Sequence, residues 1–185
     1  LATSQQRSCV SRTSNVVPST SRLSPRGFGH VETWVFDLDN TLYPHHLNLW
    51  QQVDERIRAY VSDFLKVSKD EAFRVQKDYY RRYGTTMRGM MTEHGVSADD
   101  YLAYVHRIDH SPLEPNLAMG AAIAKLPGRK LILTNGSTDH AGAVLERLGI
   151  GDHFEAVFDI IAADLEPKPA LQTYQKFLRV HGVDP

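Results

Sequence analysis

Cysteine is almost missing from this chain of 185 residues, since Cys9 is the only one. A single cysteine excludes an intrachain disulfide, a cysteine-ligated zinc site and Cys-x-x-Cys redox chemistry. Long apolar runs are missing too, and stretches such as "LAMGAAIA" fall far short of the roughly 20 residues that span a bilayer. We therefore expect a protein of the reducing cytoplasm that has no membrane partner.

Acidic residues are missing from residues 1–30, which contain four arginines and many serines and threonines. This composition resembles a transit peptide, although a disordered tail or sequence outside the true start is the simpler interpretation. We predict a disordered leader over residues 1–30. The remainder of the chain is acidic, with 17 basic against 22 acidic residues and no basic stripe, which argues against nucleic acid as a partner.

The hydrophobic pattern changes its period along the chain. Apolar stretches predict strands at residues 32–38, 130–134 and 156–161, and Trp34, Val35 and Phe36 are expected to be buried. Helical spacing is typical of the segments between and after these strands. Four residues are predicted to open helices as N-caps: Ser68 (paired with Glu71), Ser97 (for a helix through Asp109), Asn116 (for a helix to Leu126) and Ser137.

Strands that alternate with helices indicate a doubly wound parallel sheet, so we predict an α/β fold. The all-helical block at residues 45–113 interrupts this alternation after one strand and is interpreted as an inserted cap domain. Residues 31–44 and 114–185 then form the α/β core domain.

Chemistry-bearing side chains follow these strands, at the edge where open α/β sheets bind ligands. Asp37 and Asp39 end the first strand, and Thr134 and Asn135 end the second, just ahead of a helix N-terminus suited to an anion. Lys168 precedes Pro169, the predicted first turn of a helix to residue 180, where a cation opposes the macrodipole unless an anion binds. The set predicts a metal-assisted phosphate site.

Each of these signals has a plainer explanation when it is taken alone. Asp-x-Asp also occurs in solvated loops, Thr134 can be an ordinary strand residue, and Lys168 can be a surface charge. Their order along the chain and their placement at strand ends favour the functional interpretation.

The motifs "FDLDNTLYP", "LILTNG" and "EPKP" together resemble those of the haloacid dehalogenase-like hydrolase superfamily. The stretches "YGTTMRGMM" and "TNGSTDHAGAVLERLGI" look like its branch of pyrimidine 5'-nucleotidase-type phosphatases. The resemblance extends over residues 31–185. It implies a Rossmann-like core with a helical cap, in agreement with the fold predicted above.

The resemblance also implies roles for individual residues. Asp37 would be the nucleophile that forms an aspartyl-phosphate, and Asp39 would be the general acid and base. Thr134, Asn135 and Lys168 would bind the phosphoryl group. Mg²⁺ would bind the Asp37 carboxylate and the Asp39 backbone carbonyl. Dehalogenases of the superfamily lack the second aspartate, so its presence favours a phosphatase.

One expected motif is not found. The resemblance implies a fourth motif, an acidic pair after a further strand, and we expect the chain to stop before it. Asp159 and Asp164 come too early to fill this role.

The predicted function is a Mg²⁺-dependent phosphomonoester hydrolase that acts on a small phosphorylated metabolite, such as a pyrimidine nucleoside 5'-monophosphate. A phosphosugar mutase of the same superfamily and a non-catalytic binding remnant are the alternatives, and the oligomeric state is left open.

Several lesser signals have two interpretations. His106 and His110 have the i, i+4 spacing of helical metal ligands, but no third ligand is evident nearby. Ser137, Asp139 and His140 suggest a catalytic triad, but a serine N-cap explains them better.

The segment interpreted as a cap contains the remaining candidates. Tyr79, Tyr80 and Tyr83 could stack on a base, although such a stripe more often packs between helices. Arg88 is the cap residue that we expect to reach a substrate.

Overall fold

A parallel sheet forms the centre of the α/β part of the molecule. The structure is a computed structural model that describes residues 27–184, in which the strands are β1 (Thr33–Phe36), β2 (Arg129–Leu133) and β3 (Ala156–Phe158). They lie in the order β1-β2-β3, and both neighbouring pairs are parallel. Residues 1–26 of the predicted leader lie outside the described residues.

The first four α-helices after β1 are α1 (Leu49–Leu65), α2 (Lys69–Tyr83), α3 (Thr86–His94) and α4 (Ala98–Val105). Two of the predicted N-caps are confirmed here. The side-chain oxygens of Ser68 and Ser97 each accept a hydrogen bond from the backbone N–H three residues later, at 3.2 and 3.3 Å.

The remaining helices are α5 (Leu117–Ala124), α6 (Thr138–Leu148) and α7 (Leu171–His181). Ile132 of β2 is buried among residues of α5 and α6, whereas Leu131 and Leu133 are buried with Phe177 of α7. Because side chains alternate along a strand, these helices cover opposite faces of the sheet. The predicted α/β fold with a parallel sheet is confirmed. Across residues 27–184, no helix is both long and apolar enough to cross a membrane.

Helices α1–α4 surround a buried cluster of their own, which includes Val61, Ala72, Met90 and Tyr101. Ile160, from the loop after β3, also belongs to this cluster and so connects the helices to the sheet side. The assignment of residues 45–113 to a cap domain stays a prediction.

The structure corrects the prediction that Trp34, Val35 and Phe36 are buried, because Trp34 and Phe36 are only half-buried. Val35 is 45% exposed, although the sequence predicted a buried strand. The neighbouring side chain of Phe36 points to the opposite face and packs edge-on against Phe154 at 5.4 Å between ring centroids. Val35 is paired with Leu131 and so lies on the α7 face of the sheet. Helix α7 packs against β2 and β3, which leaves this side chain of the edge strand β1 exposed.

Two helix boundaries also differ from the prediction. Helix α4 ends at Val105 and does not continue through Asp109. The backbone of Asp109 instead bonds the side chain of Gln52 on α1: Oε1 accepts from the Asp109 N–H at 2.8 Å, and Nε2 donates to the Asp109 carbonyl at 3.0 Å.

Pro169 is not in the first turn of a helix, because α7 starts at Leu171 with Ala170 as its N-cap. Lys168 therefore lies three residues before α7. The predicted conflict between its charge and a helix macrodipole is wrong, and other contacts must account for its position.

Candidate active site

All five predicted core site residues lie at the carboxyl end of the sheet. Asp37 and Asp39 follow β1, Thr134 and Asn135 follow β2, and Lys168 lies in the loop between β3 and α7. This edge is where parallel α/β sheets bind ligands.

The Asp37 carboxylate is bound from two sides. Lys168 Nζ donates to its Oδ1 at 2.6 Å, and Thr41 Oγ1 donates to its Oδ2 at 2.8 Å. The Asp37 side chain is 46% exposed, whereas that of Lys168 is only 17% exposed. The carboxylate therefore faces the open edge, with an ammonium group directly beside it.

Lys168 is positioned by contacts with the end of β2. Its Nζ also donates to the backbone carbonyl of Leu133 at 2.6 Å. The Asn135 side chain bonds the Lys168 backbone twice: Oδ1 accepts from the Lys168 N–H at 2.8 Å, and Nδ2 donates to the Lys168 carbonyl at 3.2 Å. Asn135 thus fixes the backbone of the loop that carries Lys168. Both polar atoms of its amide bond the protein and do not face a ligand.

Asp39 is more deeply buried and has different partners. The Tyr43 hydroxyl donates to Asp39 Oδ1 at 2.6 Å, and His140 Nε2 lies 2.8 Å from the same oxygen. Burial raises the pKa of Asp39, but the hydrogen bonds from His140 and Tyr43 outweigh it, so the pKa lies below its usual value. Burial and the nearby carboxylate raise the pKa of Tyr43, so its hydroxyl keeps the proton that it donates.

Three histidines surround this carboxylate. The ring of His106 stacks on that of His140 with centroids 4.6 Å apart, and His106 Nδ1 lies 2.9 Å from Ser137 Oγ. His110 Nε2 lies 3.4 Å from His140 Nδ1. Burial, and then the neighbouring His140, lower the pKa of His106 to about 3, so this ring is neutral near pH 7.

A metal site at His106 and His110, the alternative interpretation of their spacing, would need a third ligand. Within residues 27–184, no group of three or more His, Cys, Asp or Glu side chains is arranged to hold a metal ion. The triad interpretation of residues 137–140 is replaced by the N-cap, because Ser137 Oγ accepts from the His140 N–H at 3.3 Å.

Thr134 and Gly136 form the turn between β2 and α6. Thr134 is 2% exposed, and its Oγ1 accepts a hydrogen bond from the Gly136 N–H at 3.0 Å. The hydroxyl proton remains available for a phosphoryl oxygen. A Cβ at Gly136 would lie 3.2 Å from His140 Cδ2, 3.4 Å from Thr134 Oγ1 and 3.7 Å from Asp39 Oδ2, so only glycine leaves this turn uncrowded.

A cavity of about 450 Å³ lies between this edge and helices α1–α4. Its floor includes Asp39, Gly136 and Lys168. Apolar and aromatic side chains form much of its wall, among them Trp50, Val53, Ile57, Tyr80 and Met87.

The sequence matches the haloacid dehalogenase-like hydrolase family over residues 31–185, which is most of the chain. The chain belongs to this family. The resemblance carried by the three sequence motifs is therefore confirmed at the level of the family, whereas the pyrimidine 5'-nucleotidase branch stays a prediction.

A curated protein shares part of its sequence with this chain. Phosphate metabolism protein 8 of Saccharomyces cerevisiae is 28% identical over 138 residues, which cover 68% of this chain and 42% of the yeast protein. The chain thus spans less than half of the length of this relative.

Two solved structures resemble the chain. L-2-haloacid dehalogenase from Xanthobacter autotrophicus, with chloropropionic acid covalently bound, is 20% identical over 83% of this chain and 66% of its own, with a TM-score of 0.47. The magnesium-bound HAD-hydrolase YfnB from Bacillus subtilis is 14% identical over 80% of this chain and 72% of its own, with a TM-score of 0.46.

Two further aspartates of this haloacid dehalogenase-like hydrolase have structural partners. Asp159 is 7% exposed and accepts from the Thr138 N–H and hydroxyl and from the Ala162 N–H. Asp164 pairs with Lys176 at 2.6 Å on the surface. The assignment of the fourth motif to residues other than these two aspartates stays a prediction.

The substrate-binding candidates on α2 and α3 lie beside the candidate active site. Arg88 forms an ion pair with Glu166, two residues before Lys168, and lines a groove next to the cavity. Tyr80 is 63% exposed and lines the cavity, whereas Tyr79 and Tyr83 pack edge-on with ring centroids 5.8 Å apart. A role for Arg88 or Tyr80 in substrate binding stays a prediction.

Sequence reasoning missed Thr41, which contacts Asp37, and two residues that contact Asp39. Tyr43 and His140 both contact Asp39, but neither was assigned a role there. The i, i+4 spacing from Asp39 to Tyr43 in "DNTLY" was a usable signal. No such signal existed for His140, which lies 101 residues from Asp39 along the chain.

Proposed function

We propose that this protein is a Mg²⁺-dependent phosphomonoester hydrolase that acts through an aspartyl-phosphate on a small phosphorylated metabolite, such as a nucleoside 5'-monophosphate. The observation that carries this proposal is the Lys168 ammonium, 2.6 Å from the half-exposed Asp37 carboxylate, with the acid Asp39 beside it. A nucleophilic carboxylate, a cation for phosphoryl oxygens and a second acid are the parts that phosphoryl transfer needs.

The first step transfers the phosphoryl group to the protein. An Asp37 carboxylate oxygen attacks phosphorus, and the bond from phosphorus to the leaving oxygen breaks. Asp39 gives its proton to that oxygen, so that an alcohol leaves rather than an alkoxide.

The second step hydrolyses the aspartyl-phosphate. Water attacks phosphorus, its proton passes to Asp39, and the bond from phosphorus to the Asp37 oxygen breaks, which releases inorganic phosphate. Asp39 ends the cycle protonated, as the first step requires. Because the pKa of Asp39 lies below its usual value without substrate, Asp39 holds this proton only while a negatively charged phosphoryl group lies beside it. The Thr134 hydroxyl and the Lys168 ammonium bind the phosphoryl oxygens as charge moves during both steps.

Mg²⁺ suits the donors at this edge. The exposed Asp37 carboxylate and the Asp39 backbone carbonyl are oxygen ligands, which Mg²⁺ prefers, and this ion commonly takes one or two carboxylates together with waters and a substrate phosphate. When bound there, the ion would neutralise charge on the phosphoryl oxygens.

The cavity supports a small organic ester as the substrate. A volume of about 450 Å³ lies within the range of ligand sites, roughly 300–1,000 Å³. Trp50 and Tyr80 in its wall offer aromatic surface to the organic part, while Lys168 and Asp39 lie at its floor.

The test is a screen for phosphate release from nucleoside monophosphates and sugar phosphates in the presence of Mg²⁺, with chemical trapping of the acyl-phosphate. We expect Asp37→Asn to abolish the covalent intermediate, and Asp39→Asn to slow turnover by roughly 10²–10⁴-fold, the range for a lost general acid or base. Asp164→Asn is the matched control, because Asp164 pairs with Lys176 on the surface. An acyl-phosphate trapped on a residue other than Asp37 would refute the mechanism.

A further inference from the structure

The two oxygens of the Asp39 carboxylate have different environments. Oδ1 contacts both the Tyr43 hydroxyl, at 2.6 Å, and His140 Nε2, at 2.8 Å. Oδ2 lies 3.7 Å from the position of a Cβ at Gly136, in the turn that carries Thr134. One oxygen is therefore engaged by protein, and the other faces the proposed phosphate site.

We propose that His140 is a positioning residue which, together with Tyr43, holds Oδ1 of Asp39 so that Oδ2 exchanges the proton with the substrate. This proposal rests on the proposed function, in which Asp39 is the general acid and base.

Both partners of Oδ1 are hydrogen-bond donors. A carboxylate oxygen can only accept, so His140 Nε2 carries the proton in this contact, as the Tyr43 oxygen does in the other. His140 is 3% exposed and Tyr43 is 2% exposed. Water therefore does not compete for these bonds, and hydrogen bonds to a charged group in such surroundings are the strong ones.

His140 is itself fixed on several sides. Its backbone N–H bonds the N-cap Ser137, and the ring of His106 stacks on it at an angle of 13° between planes. His110 Nε2 lies 3.4 Å from its Nδ1, a long contact in which Nδ1 is the acceptor when Nε2 carries the proton. These contacts restrict the His140 ring to one orientation, and the ring in turn fixes the orientation of the Asp39 carboxylate that it binds.

The expected effect has an upper limit. His140 acts through Asp39, so the fall in rate when His140 is replaced cannot exceed the fall when Asp39 is replaced, which is roughly 10²–10⁴-fold. A misplacement of a catalytic group by about 1 Å can cost 10²-fold. We therefore expect roughly a 10- to 100-fold fall in the single-turnover rate constant for an alkyl phosphoester when either donor is removed, with a change of no more than about threefold in the concentration that gives half the maximal rate.

The experiment compares two leaving groups in single turnovers. One substrate is an alkyl phosphomonoester that the screen above identifies, whose leaving oxygen needs a proton. The other is p-nitrophenyl phosphate, whose phenolate leaves without one. His140→Phe and Tyr43→Phe each remove one donor, and His140→Gln restores an N–H at the end of the side chain.

We expect both donor-removing variants to slow release of the alkyl group at least about tenfold more than release of p-nitrophenolate, because only the alkyl group needs the acid. His140→Gln should recover most of the loss. In an Asp39→Ala background, His140→Phe should cause no further loss, since the carboxylate on which it acts is gone.

Equal losses for the two leaving groups, a further loss in the Asp39→Ala background, or wild-type rates in both variants would each overturn the proposal while leaving phosphatase activity in place. A wild-type protein that releases phosphate from neither substrate would overturn the proposed function and this inference together. If thermal unfolding shows that His140→Phe does not fold, Tyr43→Phe decides the question, since it removes a single oxygen atom.

Discussion

Acid should destabilise this protein through His106. The folded state keeps this ring neutral because burial and the stacked His140 lower its pKa from 6.5 to about 3. In the unfolded state the ring takes up a proton at its ordinary pKa, so below pH 6.5 the unfolded state binds more protons. The stabilisation is therefore complete above about pH 6.5 and is lost as the pH falls towards about 3.

The pKa shift sets the size of this effect. One pKa unit corresponds to about 1.36 kcal/mol, so the free energy of unfolding should fall by roughly 2–3 kcal/mol between pH 7.5 and pH 4.5 from this group alone. The pKa of His110 is also lowered, by burial and then by His140, and acts in the same direction.

Urea unfolding at pH 7.5 and pH 4.5 measures the effect. His106→Phe retains an aromatic ring over His140 but cannot be protonated, so it should lose roughly 2–3 kcal/mol less than the wild type between the two pH values. The cost of its missing bond to Ser137 cancels because each variant is compared with itself. His46→Phe, at an exposed position, is the control and should follow the wild type. If His106→Phe loses as much stability as the wild type, protonation of His106 does not cause the loss.

Two further predictions concern the backbone and the substrate. Gly128→Ala should cost at least about 2 kcal/mol in urea unfolding, because Gly128 has a φ of +74° and its added Cβ would lie 2.2 Å from the carbonyl oxygen of Glu32. Gly142→Ala on α6 is the control: nothing lies within 4 Å of its added Cβ, and the change should stabilise by roughly 0.5–1 kcal/mol, so equal effects at the two glycines would refute the reasoning. Arg88→Ala should change the order in which phosphoesters are preferred in a kcat/KM comparison, whereas equal losses on every substrate would show that Arg88 does not select among them.

Local rules predicted much of the fold. Ser68, Ser97, Asn116 and Ser137 each accept a hydrogen bond from the backbone N–H three residues later, as their N-cap positions predicted. A cap depends on residues within one turn, so neighbouring sequence is enough to predict it. Helix ends that depend on contacts distant in sequence were less predictable. Helix α4 does not continue through Asp109, whose backbone N–H and carbonyl bond the side chain of Gln52 on another helix.

The sequence by itself determined which residues follow the strands, and hence that Asp37, Asp39, Thr134 and Asn135, together with Lys168 in the loop after β3, would lie at one edge. Parallel strands impose this result, because their carboxyl ends share a side of the sheet. Only the tertiary structure decided the pairings across that edge. Lys168 reaches Asp37 over 131 residues of chain, and His140 reaches Asp39 over 101. Contacts of this kind depend on how the loops after β2 and β3 and the start of α6 pack together, and no spacing along the chain encodes that geometry.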